Sequence, residues 1–140
     1  MSKKQPEYHL QVQVCEYIRW QYPKTLCLSD TIAATRLTIP QQVRNKAIQK
    51  SGFKCPDLVI YEPKGMYHGL FIELKIENPF KHNGELKSNE HLEAQQKTLF
   101  DLTEKGYWAC FAWSFDQAKL IIDNYMKQEV NICRNERTNP

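Results

Sequence analysis

Between residues 7 and 21 the apolar positions Leu10, Val14, Tyr17 and Ile18 recur at three- and four-residue intervals, which predicts an amphipathic helix after Pro6. Extended backwards, the stripe reaches Glu7 and places a carboxylate on the inward face with Gln11 beside it, while Glu16 falls outside. An acid at Glu7 also suits the first turn of a helix through the helix dipole. TLCLS (25–29) reads as a short strand. After a connector without clear pattern, PQQVRNKAIQK opens as a helix with Pro40 in its first turn and ends near Gly52. DLVIYE (57–62) is a compact β-branched run, and HGLFIELKI (68–76) is its expected antiparallel partner across the turn from Pro63 to Gly65. The polar stretch from Glu77 to Asn89 holds Pro79 and Gly84, lacks periodicity and reads as a loop.

A further helix is expected from Glu90 to Lys105, with Leu92, Leu99 and Leu102 on one stripe, Gln95 inside it, and Gly106 as the stop. YWACFAW (107–113) is almost continuously apolar and suits a strand in the sheet interior, covered on both faces. Ser114-Phe115-Asp116-Gln117 has the form of a Ser-x-x-Gln capping box and opens a helix carrying Ala118, Ile121, Ile122 and Tyr125. From Lys127 the chain turns polar. The order predicts an α/β domain over residues 1–126 with a small mixed sheet flanked by helices, followed by a polar tail over 127–140. The strand at 69–76, the helix after it and the strand at 107–113 form a βαβ unit, so those two strands should run parallel.

With 140 residues and 41% hydrophobic content, one domain is expected, burying roughly two-thirds of its unfolded surface. No run approaches the ~20 apolar residues that span a bilayer, and the polar start MSKKQPEYH lacks a signal-peptide core, so the expected compartment is the cytoplasm, without membrane contact. Cys15, Cys27, Cys55, Cys110 and Cys133 are odd in number and never form a Cys-x-x-Cys pair, which reads as reduced thiols. His9, His68, His82 and His91 show no His-x-x-x-His spacing and read as ordinary surface or core residues. The absence of a glycine-rich phosphate loop argues against an NTP-driven enzyme. Ser114 is explained by capping. Trp108, Phe111 and Trp113 are most simply core, with Trp113 and Phe115 also placed to meet a second subunit.

A net charge of +3 is mild, but its distribution is not uniform. From Thr31 to Pro56 there is no acidic residue, while Arg36, Arg44, Lys46, Lys50 and Lys54 fall inside that window. Such a stretch is either a solvated helix face or a surface that lies along phosphates and releases their counterions. With Lys81 and Lys87 of the polar loop, these residues are candidate contacts to a phosphate backbone if the second reading holds.

The pattern acid-x-Lys occurs three times. Glu62-Pro63-Lys64 lies on a turn and Glu85-Leu86-Lys87 in the loop, whereas Glu73-Leu74-Lys75 closes a strand. There the two-residue spacing puts Phe71, Glu73 and Lys75 on one face and Leu70, Ile72 and Leu74 on the other. Asp57, after Pro56 at the start of the neighbouring strand, stands beside Glu73 if the hairpin pairs as predicted. Two carboxylates side by side repel unless a cation sits between them or one holds a proton. With a lysine they form the set that metal-dependent phosphodiester hydrolysis needs: oxygen ligands that leave Mg²⁺ partly hydrated, and a cation near the water and the developing charge. A plain Glu–Lys ion pair, with Asp57 merely ending a turn, is the alternative.

Pro56-Asp57 followed by Glu73-x-Lys75, with Glu7 on the inward face of a first helix and Gln95 in a later one, resembles the PD-(D/E)XK nuclease superfamily. More closely it resembles the virus-type replication-repair nuclease (VRR-NUC) family, in particular its small stand-alone phage and prophage members. The likeness runs from EYHLQVQVCEYI through CPDLVIYEP, YHGLFIELK and HLEAQQKTL to GYWACFAWSFDQAKLIIDNYM. The resemblance implies a restriction-endonuclease-like core and a Mg²⁺-dependent endonuclease, with Mn²⁺ as a substitute. It implies that Asp57 and Glu73 bind the metal, that the Leu74 carbonyl is a further ligand, and that Lys75 orients or activates the water. Glu7 would reach the metal directly or through water, and Gln95, or Gln96 with a one-residue offset, would line the site. The family often has Gly two residues before the motif's Pro, where this chain has Lys54. The resemblance further implies a homodimer cutting branched DNA such as four-way junctions, in a bacterial host cell if phage-encoded. A non-catalytic DNA-binding module of the same fold and a sequence-reading restriction-type enzyme are the alternatives; retention of Asp57, Glu73 and Lys75 together counts against the module.

Overall fold

The computed structural model describes residues 5–29 and 36–129. Eight elements follow in chain order: α1 (Gln5–Gln21), β1 (Cys27–Ser29), α2 (Ile39–Ile48), β2 (Leu58–Ile60), β3 (Leu70–Leu74), α3 (Glu90–Glu104), β4 (Trp108–Ala112) and α4 (Phe115–Met126). The strands form one sheet in the order β1-β2-β3-β4, antiparallel across the first two pairings and parallel between β3 and β4. The result is the mixed α/β architecture expected from the alternating patterns.

Two layers of helix enclose the sheet. On one face, Leu10, Val14 and Ile18 of α1 and Ala118, Ile122 and Tyr125 of α4 pack against Leu58, Ile60, Leu70, Ile72, Leu74 and Ala112. This is the larger core, and the period-2 alternation of β3 is what aims its three aliphatic residues into it. On the other face α3 covers the sheet through Leu99 and Leu102, which are buried together with Thr98 and Gln95. An ionised knot fastens α1 to α4: Asp123 Oδ1 accepts from the hydroxyls of Tyr17 (2.5 Å) and Tyr22 (2.7 Å), while Lys119 Nζ reaches Oδ2 at 3.0 Å.

Local chemistry sets the helix ends. Thr38 and Gln41 form a reciprocal capping box at the start of α2, and the Asn89 side chain accepts the first free N–H groups of α3. Ser114 caps α4 by accepting from the Gln117 N–H, but the box is not closed as its sequence suggested. Gln117 Oε1 instead accepts from the N–H of Trp113 at 2.7 Å, one residue earlier. Helix α3 stops at Gly106, whose φ of +91° is easily reached only without a Cβ.

The strand at 107–113 departs from its expectation. Among the described residues it forms β4, the edge of the sheet, with β3 its sole strand neighbour, and within β4 only Phe111 and Ala112 are buried. An apolar run reads as interior because periodicity cannot register whether a further strand exists to pair with it. Trp108 rests on Tyr67 and Tyr125, and Trp113 on Phe80. Phe115 joins the core margin, edge-on to Tyr17. The loop between β3 and α3 is more ordered than its polarity suggests: Phe80 bridges to Leu86, and Asn78 and Asn83 each accept from the N–H two residues on. Helix α2 buries no residue at all. Among the described residues Cys15, Cys27, Cys55 and Cys110 are reduced thiols, and no helix is long and apolar enough to cross a membrane. Cys133 and most of the predicted tail lie outside the described residues.

Candidate active site

The register of the β2–β3 hairpin builds the site. Leu58 pairs with Ile72, so the residues just beyond, Asp57 and Glu73, meet at the end of the hairpin away from its turn. Pro56 is buried, which anchors the approach to β2. Asp57 is held from two sides: its Oδ2 accepts from the Leu74 N–H at 2.9 Å, and its backbone carbonyl accepts from Ser29 Oγ at 2.9 Å. Ser29 is in turn the acceptor for Gln11 Nε2 at 2.5 Å, so α1 and β1 together back the acid. Sequence reading placed Gln11 next to Glu7 but did not foresee this support, because it depends on β1 joining the sheet.

Glu73 is 7% exposed, and its Oε1 accepts from Gln95 Nε2 at 2.6 Å. Gln95 rather than Gln96 makes this contact; Gln96 is exposed and lines a different groove beside β4. Burial, followed by the charge of Asp57, pushes the Glu73 carboxyl up to about 8, against the pull of Lys75 and Lys54. Burial also raises Asp57, opposed by the Leu74 N–H, a hydrogen bond with Glu73 and the same two lysines. The two carboxylates thus occupy one desolvated corner with too little positive charge to ionise both comfortably.

Lys75, continuing the same face of β3, has a side chain only 15% exposed, and its Nζ lies 4.0 Å from Glu7 Oε1. Glu7 is at the rim with its side chain 45% exposed, facing the lysine. A groove of about 480 Å³ runs past both, lined also by Asn78, Lys87, Asn89 and His91. A second, of about 290 Å³, abuts Gln95 from the other side and is lined by Phe53, Lys54 and His91. His91 borders both. Its Nε2 lies 3.2 Å from Gln95 Nε2, one helical turn away, so the i, i+4 spacing from Gln95 was the signal in the sequence that could have singled it out.

Of the candidate backbone contacts, Lys54 acts electrostatically on Asp57, Glu73 and His91. Arg44 and Lys46 are on the exposed α2, and Arg36, Lys50, Lys81 and Lys87 are exposed in the flanking segments. The part of the acid-free window over 31–35 lies outside the described residues.

Among the described residues, no three His, Cys, Asp or Glu side chains form a cluster that could hold a metal ion. The protein therefore offers two carboxylates, Asp57 and Glu73. That donor set fits Mg²⁺, which binds through one or two carboxylates, keeps several waters and takes phosphate oxygens. Without a cation the pair relieves its repulsion by holding a proton on Glu73, which a divalent ion would displace.

Two features coincide: an acid at the start of β2 beside the acid of Glu-x-Lys at the end of β3, and a glutamine from the crossover helix against them. A solved structure described as a VRR_NUC domain protein superposes with a TM-score of 0.60 and 26% identity, covering 88% of this chain and 89% of that one. The chain has a VRR-NUC nuclease fold. No protein-family model and no curated protein matches the sequence. Within the VRR-NUC fold of this chain, the sheet end carrying Asp57, Glu73 and Lys75 is the candidate active site.

Proposed function

We propose that this protein is a divalent-metal-dependent endonuclease that hydrolyses DNA phosphodiester bonds, acting as a homodimer on branched DNA such as four-way junctions. The observation that carries the reading is the pairing of half-buried Asp57 with buried Glu73, with Lys75 on the same face as Glu73. Mg²⁺, or Mn²⁺ in its place, would polarise the phosphoryl oxygen and make a bound water more acidic. Asp57 and Glu73 would hold the cation, with the Leu74 carbonyl on the same strand end as a further oxygen. The Leu74 N–H and the Gln95 amide keep the two carboxylates in place.

Lys75 supplies positive charge where the phosphorane becomes more negative as the water oxygen bonds to phosphorus and the P–O bond in line with it breaks. Glu7 holds the lysine from the rim. The attacking water gives up a proton to solvent as it bonds, and the leaving oxygen takes one from solvent. Arg36, Arg44, Lys46, Lys50 and Lys54, with Lys81 and Lys87, contact the DNA backbone. The reading of a dimer is supported by β4, an edge strand beside an apolar groove of about 530 Å³ that includes Phe80, Phe100, Trp108 and Trp113.

The test is incubation with labelled four-way junctions, flaps, linear duplex and plasmid, with Mg²⁺ and with chelator. Junction cleavage that needs the metal, disappears in Asp57→Asn and falls by about 10²- to 10³-fold in Lys75→Ala, while junction binding persists, is the expected result. Binding without any metal-dependent product makes the protein a non-catalytic DNA module; discrete plasmid fragments make it a sequence-reading enzyme.

A further inference from the structure

The Gln95 amide has two N–H groups and one oxygen, and their partners are unequal. One N–H goes to Glu73 Oε1 at 2.6 Å. The nitrogen also lies 3.2 Å from His91 Nε2. Two nitrogens attract at that distance only if one brings a proton and the other a lone pair, and an amide nitrogen only donates. His91 Nε2 must therefore accept, with the ring proton on Nδ1. Meanwhile Gln95 Oε1 is buried with no hydrogen-bond partner among the described residues. A buried acceptor without a partner is unfavourable, so the arrangement of the rest of the amide must compensate for it. The reverse orientation would set the amide oxygen against Glu73 Oε1, an acceptor in a carboxyl whose own hydrogen bond goes to Asp57.

We infer that His91 is a positioning residue: its Nε2 lone pair takes the second amide proton of Gln95, fixing that amide with its N–H toward Glu73 and so fixing the rotamer in which Glu73 meets Asp57. Several observations agree. Gln95 is 7% exposed and on the same helix as His91, so the pair moves as one rigid turn of α3. Partial burial, then the nearby Lys54 and Lys75, hold the His91 imidazole below its ordinary pKa against the opposite pull of Glu7 and Asp57, which keeps the lone pair available at neutral pH. The catalytic consequence rests on the nuclease reading above; the hydrogen-bond assignment does not.

The experiment separates the two. In ¹⁵N-labelled metal-free protein at neutral pH, His91 Nε2 should give the shift of an unprotonated nitrogen, and both Gln95 side-chain amide protons should exchange slowly. His91→Leu, which fills the space without an acceptor, should speed the exchange of one of them by at least about tenfold, and His91→Gln should restore it. A proton on His91 Nε2, or equal exchange in the unaltered and Leu proteins, overturns the inference; the first measurement decides even if the Leu variant does not fold. On a four-way junction at saturating Mg²⁺, His91→Leu should lower kcat by about 10- to 100-fold with KM unchanged, as for outer-shell partners of metal ligands. His91→Gln should stay close to the parent, and His91→Leu/Gln95→Ala should be no worse than Gln95→Ala alone. An unchanged kcat in the Leu variant removes the catalytic role. If the parent cuts nothing, the nuclease reading fails while the nitrogen shifts still decide His91.

Discussion

Asp57 and Glu73 face each other across the open end of the β2–β3 hairpin, close enough to share a hydrogen bond, in a corner where Glu73 is raised to about 8. A carboxyl whose pKa is higher folded than unfolded binds more protons in the native state. Its stabilising contribution is complete below its ordinary value of 4.5 and is lost as pH rises through about 8. Metal-free protein should therefore melt at a lower temperature at about pH 8.5 than at about pH 5.5, as read by scanning calorimetry. Mg²⁺ should raise Tm by several degrees at the higher pH and by little at the lower one. Glu73→Gln should flatten both responses; a metal-induced shift that survives it would place the cation elsewhere.

Lys75 acts on charge and Asp57 on the cation, so their losses should differ in kind. Lys75→Ala should reduce kcat by about 10²- to 10³-fold while the Mg²⁺ shift in Tm persists, because what disappears is stabilisation of the transition state. Asp57→Asn should remove both the cutting and the shift. Parallel single-turnover kinetics and melting curves check this.

Asp123 ties α1 to α4 through Tyr17, Tyr22 and Lys119. Burial alone would raise its pKa, but these three partners outweigh it and hold it below its ordinary 3.8. A depressed acid contributes stability that is present above the ordinary value and lost as pH falls through the folded one. Asp123→Ala should cost about 1–3 kcal/mol near neutral pH, since two tyrosine hydroxyls lose their acceptor. The gap from the parent should narrow in acid. Urea unfolding at both pH values measures it.

Gly69 sits where β3 leaves the turn, and a Cβ there would lie 2.9 Å from the Ile60 carbonyl oxygen. That neighbour is backbone in the partner strand, so it cannot swing aside as a side chain would. Gly69→Ala should cost about 1–3 kcal/mol, on the scale of overpacking in a core. Thermal melting provides the check.

Arg44 and Lys46 project from a helix that buries nothing. Alanine at either should weaken DNA binding evenly across sequences and reduce the slope of log affinity against log salt by about one unit for each phosphate that is no longer neutralised. Lys97, paired with Asp101 on the exposed face of α3, is the control and should change neither. Fluorescence titrations across salt concentrations decide.

Much of this was legible in the chain. The spacing of Leu10, Val14 and Ile18 placed α1, and the alternation in β3 put Glu73 and Lys75 on one face before any strand was paired. Gln95 lies in a helical stripe, but its place at the site is implied by the resemblance, with Gln96 left open. The stripes and the alternation are local properties, decided by periods of 3.6 and 2 that each segment carries within itself. Other features depend on what lies next to a segment. Nothing in YWACFAW says that, among the described residues, no strand pairs beyond it in the sheet, so its place at that edge depends on assembly. His91 has no motif spacing and gains meaning only beside Gln95 and Glu73. The support of Asp57 by Ser29 and Gln11 joins three elements separated along the chain. Sequence alone determined which residues face inward and which acids share a strand face, because side-chain direction follows from backbone geometry. Tertiary structure decided which of those groups meet and how far each is raised or lowered in pKa, because desolvation and Coulomb forces act through space between residues distant in the chain.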